Sequence, residues 1–198
     1  RDLVVFVGEA QPPIGKVNYC RQLVELAQQL GVSQVYTFAA MATPMRPEQR
    51  SRVLVAATDD ASLTELGKCE VGVLEDGQIS GLNGILLGVA KEAGLHGICL
   101  LGEMPHVFSQ ISYPRASLAI LQVFVILAEL EVDFTELAEL AETSGQQLGD
   151  FLSQVEQAFE SRESQEDDED DEKLSEEELR DQAQHEHLEA LFQQAAHD

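Results

Sequence analysis

Two glutamates stand in near-copied settings. Val5-Phe6-Val7-Gly8-Glu9 is followed by Pro12, and Leu100-Leu101-Gly102-Glu103 by Pro105. In each, an apolar run delivers a Gly-Glu pair. Brought together, Glu9 and Glu103 form a paired-carboxylate site for a cation or for acid–base work. Kept apart, each is a solvated loop residue or one that favours the next helix through its N-terminal amides. Both readings stay open. A second locus is Ser80-Gly81-Leu82-Asn83-Gly84, where a strand pattern hands over to a helical one. Glycines there permit left-handed backbone and close approach, and helix amides can accept an anion. The same glycines also suit a tight turn packed under the sheet. Asn83, a polar amide beside Gly84, is well placed to read a ligand or partner. The candidate ligand or partner rim is therefore Gly8, Glu9, Gly81, Asn83, Gly84, Gly102 and Glu103.

Other chemistry finds less support. The glycine loop is neither a GxGxxG fingerprint nor a P-loop, because no Gly-Lys-Ser/Thr follows. No GxSxG nucleophile elbow occurs. His96 and His106 flank the strand ending at Gly102, with no serine or cysteine in an evident triad relation to them. His185, Glu186, His187 and Glu189 look ligand-like, and His185 and Glu189 share a helix face. Without HExxH, however, they read as a solvated acidic surface. No residue is assigned to catalysis, and no metal or cofactor is expected.

The elements that must position the rim follow from hydrophobic period. Leu3–Val7 is a continuous, β-branched run of the kind buried on both faces of a parallel sheet. After Pro12-Pro13-Ile14-Gly15, Val17, Cys20, Leu23, Val24, Ala27 and Leu30 recur at helical spacing, stopped by Gly31. Residues 32–40 and 53–57 read as strands, separated by an irregular stretch with Arg46, Arg50 and Arg52. Thr58-Asp59-Asp60 offers caps for a short helix through Leu66. A short strand at 71–74, a helix from Gly84 to Gly94 and a buried strand at 97–102 follow. Pro114 to Leu130 is a long, largely apolar helix with proline in its first turn. Strand and helix alternate over short loops, which predicts an α/β fold: a mostly parallel sheet covered by helices.

From Asp133 the grammar changes to helical spacing alone. Phe134, Leu137, Leu140, Ala141, Leu148, Phe151, Leu152, Val155 and Phe159 form an amphipathic helix or pair, expected to break near Ser144-Gly145. Glu163 to Glu172 is an acidic run expected to be solvated and extended. Ser175-Glu176-Glu177-Glu178 then opens an amphipathic helix with Leu179, Ala183, Leu188, Leu191, Phe192 and Ala195 on one stripe. The expected organisation is an α/β domain at 1–142, a helical extension at 143–160, an acidic linker at 161–174 and a terminal helix at 175–198.

Charge narrows the partners. The 198 residues carry 12 Lys/Arg against 36 Asp/Glu, a net of −24. Residues 160–198 alone hold 16 acids and 3 bases. Phosphate binding needs clustered Lys/Arg, so nucleic acid is excluded as a natural partner. No apolar run approaches the ~18–20 residues that span a bilayer, and no signal-peptide pattern is present. Cys20, Cys69 and Cys99 are odd in number and set among apolar neighbours, as reduced core thiols of a cytoplasmic protein would be.

The stretch "GQISGLNGILLGVAKEAGLHGICLLGEMPH" followed by "YPRASLAILQVFVILAELEVDFTELAELAE" resembles the proteasome assembly chaperone 2 family. It is most similar to the prokaryotic branch, whose members often carry ATP-grasp or carboxylate–amine ligase labels. The segments "LVVFVGEAQP" and "VYTFAAMATPMRP" extend the resemblance over roughly residues 3–142. It implies a three-layer α/β/α fold with a mostly parallel sheet, akin to nucleoside phosphorylases and here followed by C-terminal helices, self-association into rings or smaller oligomers, and a role in assembling proteasome rings rather than catalysis. The family normally begins with a glycine-rich strand–turn–helix ahead of the segment seen here, and this chain opens at Arg1-Asp2, so a longer gene product is expected. Chaperones of this kind that dock on proteasome rings do so through a terminal hydrophobic–Tyr–any-residue tail, which Ala196-His197-Asp198 does not match.

Two functions follow. The first is a non-enzymatic, homo-oligomeric assembly or scaffold protein whose terminal helix is a partner-binding arm. The alternative is a small-molecule-binding protein, or an ATP-dependent carboxylate–amine ligase-like or phosphorylase-like enzyme, using the strand-end rim. The weight lies with the first, because the four lysines Lys16, Lys68, Lys91 and Lys173 build no phosphate-cradling loop.

Overall fold

The computed structural model describes residues 2–74 and 79–166. Helix α1 (Lys16–Gln29) leads into strand β1 (Gln34–Thr43). Strand β2 (Val53–Ala57), helix α2 (Asp60–Leu66) and the short strand β3 (Gly72–Val73) follow. Helix α3 (Gly81–Glu92) precedes strand β4 (His96–Pro105), and helices α4 (Pro114–Ala128) and α5 (Thr135–Glu166) complete the order. The sheet order is β1-β4-β2-β3. β1 runs parallel to β4 and β2 parallel to β3, while β2 and β4 are antiparallel. The α/β class and the mostly parallel sheet expected from the alternation are present.

Register sorts the core. Even-numbered Ile98 and Leu100 of β4 pack with Ile120, Val123 and Leu127 of α4, together with Val53, Val55 and Leu66. Odd-numbered Cys99 and Leu101 pack on the other face with Leu87 of α3. Cys20 and Val24 of α1 join Val89 and Ala90 of α3 on that side. Alternation along one strand thus separates two helical layers. Ile98 and Leu100 are fully buried, each contributing roughly 2 kcal/mol of apolar transfer.

Three expectations are corrected. Leu3–Val7 is not a buried strand: the segment has no regular secondary structure and its side chains are 48–83% exposed. The run joins neither edge of the β1-β4-β2-β3 sheet, and without ladder hydrogen bonds an apolar run is not held as a strand. The segment is held instead near the starts of α1 and α3. There the Phe6 and Tyr19 rings lie 6.4 Å apart, and Gln11 Oε1 accepts the Leu82 N–H at 3.2 Å.

Helix α5 does not break at Ser144-Gly145. Gly145 is a packing position, where an added Cβ would run into the Arg115 guanidinium. Helix α5 also continues to Glu166, so the first residues of the acidic run are helical rather than extended. Glu, Gln and Arg are good helix formers, which accounts for the continuation. The rest of that run and the terminal stripe from Leu179 to Ala195 lie outside the described residues, as do His185, Glu186, His187 and Glu189.

Candidate functional site

Glu103 enters the interior from β4. Its side chain is 4% exposed and accepts two hydrogen bonds from Arg52, Nε at 2.7 Å and Nη2 at 2.8 Å. Arg52 lies just before β2, and the antiparallel ladder brings it there: the Glu103 N–H donates to the Arg52 carbonyl at 2.9 Å. The Arg52 side chain is 78% exposed, so an exposed residue closes over a buried anion. Hydrogen bonding to Glu103, then its charge, raises the Arg52 pKa above its ordinary value. A planar fork matched to a carboxylate is a strong, charge-assisted pair.

Gly102 faces the opposite way. A Cβ there would meet the Ala116 carbonyl oxygen at 2.8 Å and Ile120 Cδ1 at 3.0 Å, so glycine sets the close approach of β4 and α4. The Gly-Glu pair is therefore split across the two faces of the sheet.

The glycine–asparagine loop has local work. The Ser33 carbonyl accepts from the His96 N–H, so odd-numbered peptides of β1 face β4 and even-numbered ones face away. Asn83 Nδ2 donates to the Phe38 carbonyl at 2.8 Å, on that outward edge. Helix α3 starts at Gly81, three residues earlier than expected, because Gly81 adopts φ 73° and Gln11 caps Leu82. At Gly84 an added Cβ would collide with the Ile79 carbonyl. Gly8 and Glu9 lie in the exposed N-terminal segment.

A cavity of about 320 Å³ is lined by Ala56, Ala57, Thr58, Gly84, Leu87 and Lys91, among others. Of the expected rim it includes Gly84, and its lining holds neither glutamate. Among the described residues no three His, Cys, Asp or Glu side chains cluster to hold a metal ion. Cys20, Cys69 and Cys99 are free thiols whose pKa values burial raises, which disfavours the nucleophilic thiolate.

Two constellations escaped the sequence reading. Arg115 donates through Nη1 to the Pro47 carbonyl (2.7 Å), through Nε to the Ala141 carbonyl (3.1 Å) and through Nη2 to Glu142 (3.0 Å). It thereby ties the loop before β2 to α4 and α5. The other is Asp59, which accepts the Ser62 N–H at the start of α2 and bonds His96 Nδ1 at 2.9 Å. The cap itself was legible; the histidine partner, 37 residues on, was not. The His96 bond first, then the Ser62 amide, holds the Asp59 carboxyl well below the usual carboxylate range.

A carboxyl whose pKa is lowered by folding stabilises the fold above its unfolded value and loses that contribution in acid. The advantage in thermal midpoint of the wild type over Asp59→Asn is accordingly expected above pH ~4 and shrinks as pH falls below it. Calorimetry across that range checks this; an advantage that persists unchanged to pH ~2 refutes it.

The PAC2 family model matches residues 1–151. The chain belongs to the PAC2 family. Its resemblance to proteasome assembly chaperone 2, read from the glycine loop, α3 and β4, is thereby borne out. Among solved structures it is similar to Pyrococcus furiosus PbaB, an archaeal proteasome activator. Identity there is 30% and the TM-score 0.62, over 75% of this chain and 63% of that one. It is also similar to Pyrococcus furiosus PbaA, an archaeal homolog of proteasome-assembly chaperone, at 27% identity and TM-score 0.61, over 75% and 66% of the respective chains. An uncharacterized protein of Methanocaldococcus jannaschii, MJ1210, is 28% identical over 144 residues. The chain spans about half the length of that curated relative (54%) and covers 71% of itself in the match. No helix among the described residues is long and apolar enough to cross a membrane.

Proposed function

We propose that this PAC2 chain is a cytoplasmic, non-enzymatic assembly protein that acts as a homo-oligomer on proteasome subunits. The observation that carries the reading is how the rim residues are used. Glu103 is gripped by Arg52, Asn83 holds a strand carbonyl, and Gly84 and Gly102 are spent on close packing. Such residues support a scaffold. Kinship with PbaA and PbaB supports the choice of partner. Residues 175–198, with their apolar stripe, serve as the partner-binding arm.

A tagged full-length gene product, expressed in its own host and recovered under mild conditions, is expected to bring down proteasome subunits identifiable by mass spectrometry. Deletion of residues 161–198 is expected to reduce that recovery several-fold. Recovery without any proteasome subunit sinks the assignment of the partner.

A further inference from the structure

Helix α4 is apolar over most of its circumference, with Ser117 and Gln122 as its exposed polar positions between Ala116 and Ala128. Ile120, Val123 and Leu127 turn inward to the sheet, and Phe124 turns toward β1, meeting Tyr36 and Phe38 edge-on at 5.1 and 5.2 Å. At 100° per residue, Leu118, Leu121 and Val125 then point away from the sheet. They are half-buried and belong to none of the hydrophobic clusters among the described residues. Ile126 beside them is 55% exposed, and Phe38 is 42% exposed. Beyond Phe38, Ala40 and Ala42 are also exposed on the same face of β1. The helix face and the strand face therefore form one apolar surface.

We propose that this surface, the outer side of α4 with the Phe38–Ala42 face of β1, is where two copies of the chain meet. The inference deepens the self-association proposed above and rests on it. Charge selects the occupant. The chain carries −24, yet α4 has no charged residue from Ala116 to Ala128, nor β1 from Gln34 to Thr43. Two copies of so acidic a chain repel wherever their charges face each other. They can approach closely only across an uncharged patch, and this patch is one. A basic foreign partner would be drawn instead to the acidic remainder. Leu118, Leu121 and Val125, at spacings of three and four, make the ridge that a second α4 can take into its own groove about a two-fold axis.

The test is light scattering on the full 198-residue chain, wild type against Leu121→Arg/Val125→Arg, at matched concentrations. The wild type is expected at a multiple of 21.7 kDa and the double variant at the monomer mass. Unchanged far-ultraviolet circular dichroism shows that the variant is folded. If it unfolds, Leu121→Asn/Val125→Thr is read in its place, by sedimentation, for at least a tenfold weaker association. An oligomeric wild type whose mass neither variant alters overturns the surface while leaving self-association standing. A wild type that stays monomeric at every concentration overturns both.

Discussion

Arg52→Ala is expected to lower the thermal midpoint by roughly 5–10 °C at neutral pH. The truncated side chain is itself exposed, and the damage falls on its partner. Glu103 is left as a buried carboxylate stripped of two charge-assisted hydrogen bonds, and an uncompensated buried charge is far costlier than a missing surface pair. One further result separates this account from simple loss of packing. Replacing both partners by leucine restores most of the midpoint, because no charge is then buried alone. Scanning calorimetry of the wild type and the two variants at neutral pH decides the matter. A double variant as unstable as the single one refutes the latch.

At Gly102 the smallest possible side chain is expected to cost about 2–3 kcal/mol. The methyl group of Gly102→Ala would press on the Ala116 carbonyl oxygen at 2.8 Å, on its Cβ at 3.0 Å and on Ile120 Cδ1 at 3.0 Å. The first of these is helix backbone, which cannot swing aside as a side-chain tip can, so α4 must shift off β4. Urea unfolding followed by circular dichroism reads the loss. Because α4 is also the proposed contact between copies, the same variant should weaken self-association, read by light scattering at the concentrations used for the wild type. A variant as stable as the wild type would mean that the two layers are looser than the distances state.

Much of this was readable in advance where a residue's fate depends on its neighbours in sequence. The apolar period of α4, its proline start and the near-continuous apolar run of β4 each specify an element without reference to the rest of the chain. The Leu3–Val7 run shows the limit. Its composition is that of a buried strand, yet it joins neither edge of the sheet and its side chains stay exposed. Gly145 shows another. A glycine in a helical pattern signals a break when read alone, but here it makes room for Arg115, 30 positions earlier.

The amino-acid order by itself determined the alternation of helices and strands, the acidic balance and the family, because each is written in local period or in a contiguous motif. Only the tertiary structure decided what the rim residues do. Gly102 and Glu103 are neighbours in the chain, and strand alternation sends one toward α4 and the other into the grip of Arg52. Asn83 meets Phe38 because α3 begins at Gly81 beside the outward edge of β1. Such contacts depend on strand order and register, which no local pattern encodes.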